Sequence, residues 1–115
     1  MTDSPAEITF DDFLRVELHV GTVRSAALNP KARVPAYVLE IDFGPLGTRT
    51  SSAQLTERYA ADDLVGRQVI AVLNFPPKRV AGVKSEVLVL GAVGDAAGTT
   101  LLTLTHPVAD GTRVA

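Results

Sequence analysis

Cysteine and tryptophan are both absent from this sequence of 115 residues. Without cysteine there is no disulfide, no thiolate nucleophile and no cysteine-ligated zinc. Aromatic residues are scarce: four Phe and two Tyr make up 5% of the chain. Single-strand binders stack successive bases on aromatic rings, and the rings for such a platform are missing here. Long apolar runs are missing too. The longest, Val69 to Leu73, falls far short of the ~20 residues that a membrane-spanning helix needs. The first residues, Met1-Thr2-Asp3-Ser4-Pro5, show neither a basic nor an apolar stretch, so no secretory signal is visible. A soluble cytoplasmic protein without membrane insertion is expected.

The signatures of common enzymes are also absent: no Gly-x-x-x-x-Gly-Lys-Ser/Thr, no Gly-x-Gly-x-x-Gly and no Gly-x-Ser-x-Gly. The two histidines, His19 and His106, fall on different elements. A two-histidine metal site stays open beside the plainer reading of surface or half-buried rings. Asp11-Asp12 and Asp62-Asp63 are adjacent pairs. Neighbouring side chains diverge on a helix, so these pairs suit helix ends better than acid–base chemistry. Neither an enzyme nor a cofactor is expected.

Hydrophobic residues make up 46% of the chain, enough for one core, and residues 1–115 are expected to form a single domain. The net charge of −2 is unevenly spread. Residues 1–20 carry Asp3, Glu7, Asp11, Asp12 and Glu17 against Arg15, and Glu86, Asp95 and Asp110 follow late in the chain. Residues 64–85 hold Arg67, Lys78, Arg79 and Lys84 with no acid. The chain is mildly acidic with one basic stretch.

Thr9 is placed to cap a short helix with Asp11 and Asp12 in its first turn and Phe10, Phe13 and Leu14 on its apolar face. Alternation then predicts strands over 18–24, 36–43 and 48–55, with Gly21 marking a bulge or bend. Residues 29–35 read as a loop and 44–47 as a turn. A short helix is expected over 56–64, stopped by Gly66. Strands follow over 68–75, 86–91 and 100–105. The order predicts an all-β fold, a five-stranded OB barrel with a helix between the third and fourth strands and additions at both ends. An SH3-like or other small barrel fits the pattern as well.

Two polar clusters could carry a function. The connection from Asn74 to Ser85 is stiffened by Pro76 and Pro77 and carries Lys78, Arg79 and Lys84. At the rim of an OB barrel these cations could meet phosphates, and Gly82 would let the backbone approach closely. The alternative is a solvated loop whose charges keep a strand edge soluble. Ser51-Ser52-Ala53-Gln54 could hydrogen-bond phosphate, ribose or a base edge, or could be the wet face of a strand. Arg33 and Arg49 could join this surface, with directions that the sequence leaves open. With Phe75 the lone aromatic beside the basic connection, a structured RNA fits better than an unstructured strand.

At Ser51-Ser52-Ala53-Gln54 and from Asn74 through Gly91 the sequence resembles the CsaA-type secretion chaperones, within a wider group of tRNA-binding domains. The likeness begins near Phe10 and includes Val20-Gly21-Thr22-Val23 and Ala32-Arg33-Val34-Pro35-Ala36. It implies an OB barrel whose terminal additions build a homodimer and which binds the tRNA fold rather than one anticodon. Carried over by position, Ser51, Ser52, Gln54, Asn74, Lys78, Arg79, Gly82, Lys84 and Ser85 would bind tRNA. The CsaA branch further implies unfolded preproteins and the secretion motor as partners; the aliphatic richness, the exposed strand edges and the rigid Phe75-Pro76-Pro77 corner would suit an apolar peptide groove. Ser85 is followed by Glu86-Val87-Leu88, the CsaA version, where the tRNA-binding relatives usually continue Ser-x-Gly-Met.

Overall fold

The computed structural model describes residues 4–94 and 96–115. Met1, Thr2 and Asp3, read above for a leader and for charge, lie outside the described residues, as does Asp95.

Helix α1 (Phe10–Leu14) begins as expected. Thr9 Oγ1 accepts from the Asp12 amide and the Asp12 carboxylate accepts from the Thr9 amide, both at 3.1 Å. Its expected apolar face, however, is not covered. No residue of α1 is buried, and Phe10 is 71% exposed.

Strand β1 (Leu18–Leu28) is longer than alternation predicts and serves two neighbours. Its first half pairs antiparallel with β4 (Gln68–Val72) and its second half with β2 (Tyr37–Asp42). The edge of the first half that β2 leaves vacant is covered by the chain's end. Gly111 N donates to Val20 O, Val20 N to Thr112 O and Val114 N to Leu18 O. Such coverage removes an open strand edge. The register irregularity lies between Val23 and Ser25, not at Gly21. Gly21 serves close packing instead: a β-carbon there would lie 2.7 Å from Ile41 Cγ2 and from the Phe43 ring.

β2 turns through a 3₁₀ segment at Gly44–Leu46 into β3 (Thr48–Ala53). The helix expected over 56–64 shortens to α2 (Ala61–Leu64), because Tyr59 N bonds back to Leu55 O and the Asp63 carboxylate caps the Ala60 amide. β4 ends at Val72 rather than Phe75: Leu73 N still reaches Glu17 O in register, but Asn74 bonds through its side chain to Arg15 O and Glu17 N, and the prolines follow. The strand expected over 86–91 splits into β7 (Leu88–Val89), paired with β4, and β8 (Gly91–Ala92), paired with β9 (Thr100–Leu101). Gly91 permits the change of partner, for a β-carbon there would lie 2.6 Å from Thr99 Cγ2. The expected strand over 100–105 accordingly ends at Leu101.

The main sheet has five strands in the order β3-β2-β1-β4-β7, all antiparallel, and curls into a nearly closed barrel. With α2 between β3 and β4 this is the OB topology rather than an SH3-like one. Val23, Leu39, Ile41, Phe43, Leu64 and Val69 fill the barrel. Among the described residues no helix is long and apolar enough to cross a membrane.

Candidate nucleic-acid interface

The basic connection is a hairpin over most of its length. β5 (Lys78–Val80) and β6 (Val83–Ser85) pair antiparallel, with Ala81 and Gly82 between them. Both tip residues have positive φ, +47° at Ala81 and +84° at Gly82. Two left-handed residues make the turn whose twist matches the flanking strands. Pro76 and Pro77 precede β5, where neither is asked to donate to a ladder. Across the hairpin Lys78 faces Ser85 and Arg79 faces Lys84. The three cations are exposed, and Arg79 also donates weakly to Gly82 O at 3.4 Å.

The hairpin stands on β3. Ser52 N donates to Ser85 Oγ at 3.0 Å, Thr50 N donates to the Glu86 carboxylate at 3.1 Å, and Glu86 N donates to Thr50 O at 2.8 Å. Ser51 Oγ donates to Val87 O at 2.9 Å. These bonds draw the free edge of β3 toward the β6–β7 segment and so close the barrel. They also tie up the carboxylate of Glu86, which enters the basic segment from its C-terminal side.

Three adjoining cavities share Ser52 and Val80. The first, about 400 Å³, is lined by Phe75, Pro76, Lys78, Val87 and Leu88 among others. The second, about 460 Å³, runs along Gln54 and Leu55 to Leu90 and Leu101. The third, about 430 Å³, lies between the β1–β2 loop and the hairpin tip, with Lys31, Arg33 and Gln54 at its wall.

The structure thus gathers Ser52, Gln54, Phe75, Pro76, Lys78 and Ser85 around these adjoining cavities, whereas Arg79, Gly82 and Lys84 lie on the hairpin outside their walls. Pro77 sits next to Lys78 but is not among the lining residues of the groove. Two expected site residues are placed otherwise. Ser51 is only 1% exposed and its hydroxyl is committed to Val87 O, so it builds the barrel. Asn74 donates to Arg15 O at 2.7 Å and accepts from Glu17 N at 2.9 Å, stitching the segment after α1 to the end of β4. Ser85 reaches the groove while its oxygen holds Ser52 N.

Of the two undirected arginines, Arg33 lines the third cavity, whereas Arg49 donates to Leu46 O in the β2–β3 turn. Lys31 and Val80 were missed by sequence reasoning. Lys31 sits in a loop whose only signal was its composition, and Val80 reads as an ordinary strand residue. Of the two histidines, His19 is buried between Gly111 O and the Glu17 carboxylate, and His106 is exposed. Among the described residues no group of three or more His, Asp or Glu side chains converges on a metal position.

Away from the groove, hydrogen bonding from His19 and the charge of Arg113 hold the Glu17 carboxyl below the usual glutamate range. The Gly44 amide and then Arg24 hold the Asp42 carboxyl below its ordinary value.

Comparison with known proteins places the chain among relatives of the same fold. Two solved structures superpose closely. Chaperone CsaA from Bacillus anthracis str. Ames has a TM-score of 0.90 and 54% identity, covering 96% of this chain and 100% of that one. The CsaA chaperone protein from Picrophilus torridus has a TM-score of 0.87 and 41% identity, covering 95% and 100%. Among curated relatives, a methionine–tRNA ligase of Porphyromonas gingivalis is 40% identical over 86 residues. That match takes in 75% of this chain and 12% of the ligase, so the chain corresponds to a small part of that enzyme. Residues 18–113 match the family described as "Putative tRNA binding domain", and the chain belongs to that family.

Proposed function

We propose that this member of the tRNA-binding domain family works as a single cytoplasmic domain that binds folded tRNA by shape and backbone, without catalysis. Lys78, Arg79 and Lys84 contact phosphates from the hairpin, Gly82 lets the backbone approach, and Ser52, Gln54 and Ser85 offer hydrogen bonds from the groove below. The observation that carries this reading is the pairing of Arg79 with Lys84 on a protruding hairpin. Like charges placed directly opposite destabilise a ladder, and a polyanion relieves them. The scarcity of aromatics supports backbone and shape recognition over base stacking. Ser51 and Asn74 serve by holding β3 and the segment after α1 in place.

The protein is proposed to act as a homodimer, which is supported by the uncovered apolar residues before and within α1, Ile8 and Phe10, both 71% exposed. Binding of purified protein to total tRNA across a salt series tests the RNA reading. Affinity is expected to fall steeply with salt. A salt-independent signal, or none, would overturn it.

A second reading, an export chaperone that takes unfolded preproteins and meets the secretion motor, is favoured by the first cavity. Its wall combines Phe75, Pro76, Val87 and Leu88 with a single cation, Lys78, a mixture suited to an extended apolar peptide. The two CsaA structures, which their descriptions call chaperones, support it. Preprotein binding that hardly responds to salt is expected if it holds, and a flat titration would remove it.

A further inference from the structure

The β1–β2 loop and the hairpin tip are far apart in sequence, yet one side chain joins them. Asn29 is 9% exposed, and its amide nitrogen donates to Ala81 O at 3.2 Å. Its amide oxygen accepts from Lys31 N at 3.0 Å, while its backbone N–H donates to Ala36 O and its carbonyl accepts from Ala32 N. Every hydrogen-bonding group of Asn29 named here works on either the loop or the tip. The contact falls at the tip's most demanding residue, because Ala81 is a non-glycine residue at φ +47°. Side chains rarely adopt that conformation unless the surroundings impose it. Beside it, Lys31 lies along Gly82: a β-carbon built at Gly82 would be 3.7 Å from Lys31 Cδ and 4.0 Å from its Nζ.

We propose that Asn29 is a positioning residue that locks the β1–β2 loop onto the hairpin tip, so that Lys31 and Arg33 join Lys78, Arg79 and Lys84 in one phosphate-contacting rim. The inference rests on the tRNA reading above and adds two contacts and their support. Asn29 has the chemistry for this task. One amide supplies a donor and an acceptor on separate atoms, so it can serve a carbonyl on one loop and an N–H on the other. The third cavity lies between the two loops, with Lys31, Arg33 and Ala81 in its wall.

Titration of the full chain with total tRNA over a salt series tests this. Lys31 is exposed and its side chain can be trimmed without opening the core. Lys31→Ala is expected to weaken binding several-fold and to lower the salt slope by about one. Asn29→Ala is expected to weaken binding at least as much. In that background Lys31→Ala should cost nothing further, because the loop no longer holds the ammonium at the tip. Adding Ala81→Gly to Asn29→Ala is expected to restore part of the loss, since glycine takes the left-handed conformation unaided. Wild-type affinity and slope in Lys31→Ala, or simple addition of the two losses, would overturn the assignment. Should Asn29→Ala fail to fold, Lys31→Ala decides alone. If Arg79→Ala/Lys84→Ala abolishes binding while Lys31→Ala changes nothing, only this inference fails. If neither variant changes binding, the tRNA reading fails with it.

Discussion

Arg79 and Lys84 occupy directly opposed positions on neighbouring strands of the β5–β6 hairpin, with Ala81 and Gly82 turning the chain between them. Opposed like charges work against the ladder that carries them, and both cations face solvent. A hairpin built for stability alone would place an acid at one of the two positions.

Arg79→Ala/Lys84→Ala therefore separates binding from stability. The salt slope for tRNA is expected to drop by about two. The melting temperature is expected to stay level or rise, because removing an opposed like-charge pair is worth roughly 0.2–1 kcal/mol in the fold's favour. Filter binding and thermal melting read the two quantities independently. A clear drop in melting temperature would show that the pair supports the hairpin.

Ser51 in β3 and Gln54 just beyond its end have opposite assignments. Ser51→Ala leaves the Val87 carbonyl without its buried donor and is expected to cost about 1–3 kcal/mol of stability. tRNA affinity of the folded protein should hardly change. Gln54→Ala, at an exposed position lining the groove, is expected to weaken tRNA binding and leave denaturant unfolding within about 0.5 kcal/mol. The reverse outcome would exchange their roles.

Gly21→Ala places a methyl 2.7 Å from Ile41 and Phe43, inside the barrel. Overpacking of this kind is expected to cost about 1–3 kcal/mol in urea unfolding. Little or no loss would mean that the Ile41 and Phe43 side chains move aside freely.

The chain's end is expected to loosen in acid. Glu17 accepts from His19 and from Arg113, while Arg113 also holds Leu14 O and Val16 O. Because these partners lower its folded-state pKa, Glu17 contributes stability above the ordinary glutamate value of about 4.3. That contribution is lost as pH falls through the lowered folded value. Amide protection at Val20, Gly111 and Val114 should weaken there, and Glu17→Gln should weaken it already at neutral pH. Protection independent of pH in the unaltered protein would dissociate the ion pairs from the anchoring of the C-terminal segment.

If the uncovered residues around α1 form the contact between two copies, Phe10→Asp is expected to halve the sedimenting mass without lowering the melting temperature of the barrel by more than the dimer contributed. A dimer that persists in Phe10→Asp would place the contact on another face.

Alternation and turn residues determined much of this protein from the sequence alone. Tyr37, Leu39, Ile41 and Phe43 point to one face because successive side chains of a strand alternate, and Thr9 and Asp12 cap α1 because their spacing satisfies the first amides. The basic segment 64–85 and the scarcity of rings were likewise plain, since both are counts along the chain. Long-range relationships were not legible. Ser51 and Ser52 look alike in sequence, but only the approach of Val87 to β3 buries one and leaves the other at the groove. Gly21 reads as a bend until Ile41 and Phe43 are brought against it. Asn29 and Ala81 show no mutual signal, because a hydrogen bond between loops 52 residues apart depends on where barrel closure leaves each loop. Local pattern decides which residues turn inward. Which residues meet at the surface is decided by the path of the backbone between them.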